Sequence, residues 1–287
     1  MYDKMTCFLP GSYAPPERVT LDKKGWGNIR NLRVHQRPDG IVITGSPGKF
    51  LHGENATTLT RQGVREALAS VEAETGLSLL GGAVWSLETG ATLPVREPPS
   101  AYLAAWGPLP RYKKRMYGAE TVQYDTGSRS FTGYDKQAES GPLGGIMQDR
   151  FALRLELRVK RGMKALHGRY LSPWELAEPD AYLVHVRLWG EYYFKIPKRR
   201  EVIFNMDSMT PKQFERTLAV LGLHALGLDG VDRIIREGRY TGDIDRVVAS
   251  RIRGLVRELQ KDTRVSSTEE NTAELDGKVR AVMQAAR

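Results

Sequence analysis

The stretch that most constrains the fold is F-A-L-R-L-E-L-R-V-K at 151–160. Phe151, Leu153, Leu155, Leu157 and Val159 alternate with Ala152, Arg154, Glu156, Arg158 and Lys160. Successive strand side chains point to opposite faces, so this alternation predicts a strand buried on one side and open on the other. The open side is basic, with one carboxylate, Glu156, at its centre. Glutamate is depleted in strands, so its presence there needs a reason.

The rest of the first 165 residues is strand-rich. Residues 5–9 and 82–93 read as strands. R-P-D-G at 37–40 marks a hairpin turn, and D-T-G-S at 125–128 marks another, between strands at 121–124 and 130–136. A helix is predicted over 58–75, where Val64, Leu68 and Val71 share a face and Gly76 stops it; a short one starts near Ser100. Beyond about residue 165 the chain turns helical. S-P-W-E at 172–175 is a capping box with proline at the first helical position, and T-P-K-Q at 210–213 repeats that logic. Ile244, Val247, Val248, Ile252, Leu255, Val256 and Leu259 form an apolar stripe. The division this suggests is 1–165, a helical region at 166–265, and a polar, flexible tail at 266–287 with room for a short helix near its end.

Composition sets the outer bounds. A chain of 287 residues, 40% hydrophobic and 27% charged, can bury a core in one large domain or two ordinary ones. Its formal net charge of +9 favours a polyanionic partner, nucleic acid first and an anionic membrane second. A single cysteine, Cys7, excludes a disulfide framework and a cysteine zinc cage. No run approaches the ~18 apolar residues of a membrane span, and the N-terminus lacks a signal-peptide core. These features predict a cytoplasmic protein with no membrane partner.

Several residues carry chemistry, each with a plainer alternative. G-S-P-G-K at 45–49 lacks the phosphate-loop spacing: Ile43 stands where the first glycine belongs, and Phe50 replaces the magnesium-binding hydroxyl. It reads as a turn with an exposed lysine. The five histidines form no metal-ligating pair by spacing; His52 is either a site residue or an ordinary turn histidine. Glu88 and Glu156 either pair with nearby arginines or ligate Mg2+ or Mn2+, hard cations that prefer carboxylates. In S-F-T-G-Y-D-K-Q-A-E at 130–139, Tyr134 and Lys136 sit two apart on one strand face. Tyr134 is either a packing aromatic or a nucleophile beside a cation. Arg111, Lys113, Lys114 and Arg115 interleave with Tyr112 and Tyr117, and K-I-P-K-R-R-E at 195–201 is a second basic cluster. Both suit single-stranded nucleic acid, or are solvated charged loops.

Taken in order, G-S-P-G-K-F-L-H-G-E-N, a strand ending near Glu88, P-P-S-A-Y-L-A-A-W-G-P-L-P-R-Y-K-K-R-M-Y-G, F-T-G-Y-D-K-Q-A-E and R-L-E-L-R-V-K-R resemble the replication initiators of filamentous bacteriophages, of gene-two and gene-X type. The resemblance runs from about residue 5 to about residue 259. It implies an α/β (α+β) fold, with an antiparallel sheet and helices on one face of a catalytic nicking domain, followed by a helical C-terminal region that supports DNA binding. It implies a rolling-circle nickase that cuts one strand of a supercoiled origin and later rejoins it. The nucleophile would be Tyr134, forming a 5′-phosphotyrosyl link, in a pattern completed by Lys136 and Glu139. Mg2+ or Mn2+ would be held by Glu88 and Glu156, helped by His52. Arg154 and Arg158 flank Glu156, and Lys49 and Asn55 belong to the family's Lys-x-Leu-x-Gly-x-Asn turn. Ser86 and Glu88 depart from the family's arginine and aspartate. Implied partners are double- and single-stranded DNA, a host helicase and a polymerase in the bacterial cytoplasm; a homo-oligomer is compatible. Tyr192 and Tyr193 are candidates for a second tyrosine. Two rivals are a non-catalytic DNA-binding regulator and a plasmid rolling-circle initiator.

Overall fold

The computed structural model describes residues 1–11, 19–53, 58–140, 150–198, 211–260 and 268–286. Asn55 lies outside the described residues. Residues Met1–Lys198 and Ala273–Arg287 form one compact unit, and Arg199–Thr272 form a second.

The first unit is built on a nine-stranded sheet in which every neighbouring pair is antiparallel. The strands are β1 (Tyr2–Pro10), β2 (Trp26–Ile29), β3 (Leu32–Arg37), β4 (Gly40–Gly45), β5 (Ala83–Val95), β6 (Lys113–Tyr117), β7 (Thr121–Asp125), β8 (Arg129–Asp135) and β9 (Phe151–Val159). Across the sheet they lie in the order β2-β3-β4-β1-β5-β9-β8-β7-β6. Both predicted hairpins form. Gly40 follows the bidentate Arg37–Asp39 pair, and Gly127 supplies the positive φ that closes the β7–β8 turn.

The helices are α1 (Pro47–His52), α2 (Arg61–Thr75), α3 (Pro99–Leu103), α4 (Lys136–Ser140), α5 (Met163–His167), α6 (Pro179–Lys195), α7 (Pro211–Thr241), α8 (Arg246–Gln260) and α9 (Thr268–Ala285). Thr60 caps α2 by accepting from the Gly63 amide, and left-handed Gly76 ends it. Leu68 and Val71 of α2 pack toward Met5 and Cys7, on the face of the sheet that also carries Leu87, Leu155 and Leu157. Trp106 after α3 lies on Gly133 of that same face, and Trp189 of α6 donates to the Leu155 carbonyl oxygen at 3.1 Å. The glycine of F-T-G-Y is thus a seat for an indole: a Cβ there would come within 2.5 Å of the Trp106 ring.

The boundaries differ from those predicted. Residues 166–198 belong with the sheet, because α6 supplies Tyr182, Val186, Trp189 and Tyr193 to its core. The predicted capping box closes, with Ser172 and Glu175 exchanging bonds, but it starts only a 3-10 turn over Trp174–Ala177. Pro179 forces Glu178 into an extended conformation, and the long helix begins afresh there. The supposed tail is helical. Leu275 and Val279 of α9 are buried, Glu274 accepts from the Tyr102 hydroxyl at 2.6 Å, and Asp276 accepts from that of Tyr193 at 2.7 Å. In the second unit α7 and α8 meet where Ile244 closes on Gly238, and Arg253 pairs with Asp232. No helix among the described residues is long and apolar enough to cross a membrane.

Candidate functional site

The face of the sheet opposite α2, α3 and α6 carries the polar half of β9. Register brings the rest of the site to it. Glu88 of β5 stands opposite Arg158, Gly90 opposite Glu156, and Tyr134 of β8 opposite Arg154. Three carboxylates converge there: Asp3, Glu88 and Glu156 each offer an oxygen, all within 4.8 Å of one another. The Tyr134 hydroxyl donates to Glu156 Oε1 at 2.8 Å.

Two arginines hold the acids. Arg154 donates through Nη2 to Asp3 at 2.8 Å, through Nε to Glu156 Oε1 at 3.1 Å and through Nη1 to Thr92 at 2.9 Å. Arg158 pairs with Glu88 at 3.0 Å. Burial pushes the Glu156 carboxyl well above the ordinary carboxylate range, and the Glu88 charge and a hydrogen bond with Asp3 push the same way. Burial also raises the Tyr134 phenol, and the Glu156 charge adds to it. For Arg154, burial favours loss of the proton, but the charges of Asp3 and Glu156 outweigh it and the guanidinium is held above its ordinary value. Arg154 and Arg158 are the cations paired with these three crowded carboxyl groups. The cluster's donors are all oxygen, which suits Mg2+ or Mn2+. A cation would also relieve the crowding of like charge that Glu156 feels.

Asp3 is the member that sequence reasoning missed. The strand predicted over residues 5–9 leaves Asp3 outside it, as one of two adjacent charges near the N-terminus. A register shift between Tyr2 and Lys4 along β5 turns Asp3 inward, where it is 6% exposed. Gly90 was missed too. A Cβ there would lie 2.8 Å from Glu156 Cγ and 2.9 Å from the Leu155 carbonyl oxygen, so only glycine leaves the acid its place.

The predicted site residues sort into three groups. Tyr134, Glu88, Glu156 and Arg158 come together. Lys136 lies next to them but begins α4 instead of continuing the strand; it is 1% exposed, ion-paired to Glu139, with Nζ 5.9 Å from the Tyr134 ring centroid. Arg154 is correctly placed but is 2% exposed, walled in by Met1, Ser46, Gly48, Thr58 and Leu59. It balances charge inside the cluster and does not offer itself to a DNA backbone. His52 is exposed at the end of α1 and is not one of the clustered ligands.

The basic residues divide similarly. Lys49 is exposed on α1, one residue past Gly48, which lines the recess beside Asp3 and Arg154. Arg111, Lys113 and Arg115 are exposed along β6 and its approach. Lys114 is turned the other way and donates to the Trp106 carbonyl oxygen, so it braces the fold. Tyr192 and Tyr193 are core residues. The Tyr192 hydroxyl meets those of Tyr112 at 2.7 Å and Arg129 Nη1 at 2.9 Å, and Tyr193 is committed to Asp276. The histidines, scattered in sequence, include one spatial pair, His167 and His185, with Nε2 atoms 3.1 Å apart. Burial lowers His185 to about 3.

No protein-family model matches this chain, and comparison with curated proteins gives no match either, so the functional conclusion rests on the geometry above together with the ordered motifs.

Proposed function

We propose that this protein is a rolling-circle-type initiator that nicks and rejoins one DNA strand through Tyr134, with a divalent cation. The observation that carries the proposal is the 2.8 Å hydrogen bond from the Tyr134 hydroxyl to Glu156, itself one of three carboxylates within 4.8 Å. A phenol beside an oxygen-only ligand set is the pairing that tyrosine-mediated phosphodiester transfer needs. The ordered resemblance to filamentous phage initiators, from which the roles of these residues come, points the same way.

Asp3, Glu88 and Glu156 would hold the cation, which when bound would polarise the scissile phosphate. The Tyr134 oxygen attacks phosphorus; its proton would pass to Glu156 Oε1 where a bound cation holds that carboxyl ionised, and from there to the departing 3′ oxygen. The bond to the 3′ oxygen breaks, leaving a 3′-hydroxyl and a 5′-phosphotyrosyl link; attack by a 3′-hydroxyl reverses the step and rejoins the strand. Arg158, 39% exposed at its side chain, and Lys4, exposed opposite Glu88, are cations placed beside the cluster to meet phosphate charge. Lys136 acts through Tyr134, as a buried positive charge near its ring.

Tyr134→Phe incubated with supercoiled origin DNA and Mn2+ should bind yet yield no open circles and no covalent protein–5′ DNA adduct. Undiminished nicking would sink the assignment. The rival, a DNA-binding regulator without catalysis, draws on the bonds Arg154 makes to Asp3, Glu156 and Thr92, a network that also stands as structure alone. The same assay separates the two, since the regulator leaves wild-type reactions free of open circles.

A further inference from the structure

The open face of the sheet continues past Glu88 toward β2, and there its character changes from acidic to aromatic and basic. Lys4, Thr6 and Phe8 alternate along β1 on the face that Glu88 occupies, because Lys4 stands opposite Glu88 and Thr6 opposite Ser86. Phe8 stacks on Trp85, with ring centroids 4.6 Å apart and planes 21° from parallel. The Arg37 guanidinium carbon lies 5.8 Å from each of those two rings. The row through Phe8 crosses Val42 and His35 to Trp26. Trp26 stacks on His35 at 3.8 Å and 8°, with Arg33 at 4.0 Å from its ring.

We propose that this half of the sheet face is a binding platform for single-stranded DNA, on which bases stack against the Phe8–Trp85 and Trp26–His35 pairs while Arg33 meets phosphates and Arg37, paired with Asp39, flanks the rings. All four rings are half-buried, and both arginines are exposed. A single strand offers what such a face lacks: flat apolar rings regularly spaced along a polyanion. The chemistry is complementary in charge too, on a chain of net +9. At about 4.8 Å between strands, the platform from β5 to β2 spans about 19 Å, and four residues along β1 put Phe8 about 13 Å from Lys4, the neighbour of Glu88. A strand lying across the platform therefore leads to the acid cluster.

The proposal deepens the nicking assignment by naming where the displaced strand lies, but its test needs no cleavage. Anisotropy of a fluorescein-labelled (dT)20 would be measured with the full chain in EDTA, beside an abasic oligonucleotide of equal length and charge. Wild type should bind (dT)20 more tightly than the abasic strand. Trp85→Ala and Trp26→Ala should each weaken (dT)20 binding by about five- to 150-fold, the range that loss of one stacking contact gives. Binding of the abasic strand should be unchanged. Trp85→Phe, which keeps a ring and preserves the packing on Phe8, should stay within a few-fold of wild type. Equal affinity for the two oligonucleotides, or tryptophan variants that bind (dT)20 like wild type while their circular dichroism is unchanged, overturns the platform. Should Trp85→Ala unfold, quenching of wild-type tryptophan fluorescence by (dT)20 but not by the abasic strand decides the matter. Loss of nicking in Tyr134→Phe has no bearing on these affinities, so the two assignments fail separately.

Discussion

Gly90→Ala adds a single methyl group where the sheet has no room for it. Gly90 faces Glu156 across the β5–β9 ladder, and its φ is not in the left-handed region, so the whole cost of a methyl group is steric. That methyl would sit 2.8 Å from Glu156 Cγ, 2.9 Å from the Leu155 carbonyl oxygen and 3.3 Å from Arg154 Nε. The glutamate can swing aside. The carbonyl belongs to the ladder and moves only with the strand. Overpacking of this kind costs about 1–3 kcal/mol. At about 2–4 °C per kcal/mol for a unit of 150–250 residues, the melting temperature should fall by about 2–12 °C. Gly81→Ala is the control, since a Cβ there meets nothing within 4 Å. It should move melting by less than about 2 °C. Scanning fluorimetry with and without Mn2+ reads both parts. A cation at a hundred times its dissociation constant stabilises wild type by about 2.7 kcal/mol, and displacing Glu156 should shrink that gain. A Gly90→Ala protein that melts with wild type and gains equally from Mn2+ would refute the claim that this glycine makes room for the acid.

Glu156→Gln should change the pH dependence of stability. Because the folded Glu156 carboxyl sits above its ordinary 4.5, the folded protein keeps a proton that the unfolded chain releases. That contribution is complete below the ordinary value and is lost as pH rises through the raised one. Glutamine cannot ionise, so the melting temperature of the variant relative to wild type should climb with pH above 4.5; a flat difference contradicts the burial argument. Tyr193→Phe removes the bond to Asp276 and should cost about 1 kcal/mol in denaturant titrations while leaving nicking intact. Loss of nicking there without loss of stability would return Tyr193 to the list of nucleophiles.

Much of the sheet was legible because alternation is a local signal. The pattern at 151–160 gave strand β9 and its two faces, and the two turn motifs gave both hairpins. What the pattern could not give was the fate of a polar residue on the open side. Arg154 and Arg158 look alike in sequence, yet one is 2% exposed and the other is on the surface, because Met1, Ser46 and Thr58 close over only one of them. Asp3 was hidden by a register shift, which depends on the partner strand. Tyr134 and Glu156 were each singled out, but the bond between them rests on the β8–β9 register across a 22-residue separation. Helix α9 was underestimated because Leu275, Val279 and Met283 form a thin stripe in a polar segment, and their value lies in fitting an existing surface. Met283, for example, fills the notch at Gly190.

The strand order has a consequence for how the protein assembles. β6, β7, β8 and β9 are consecutive and pair in sequence, as do β2, β3 and β4, to which β1 and β5 add. The β5–β9 ladder, running from Leu87↔Val159 to Val95↔Phe151, is the seam that joins these two blocks. Asp3 and Glu88 belong to one block, Tyr134 and Glu156 to the other. Until residues 151–159 have been synthesised and docked, β5 presents an unpaired edge and the phenol has no acid cluster beside it. On the proposed nicking role, Tyr134 and its acids would come together only in the step that closes the sheet.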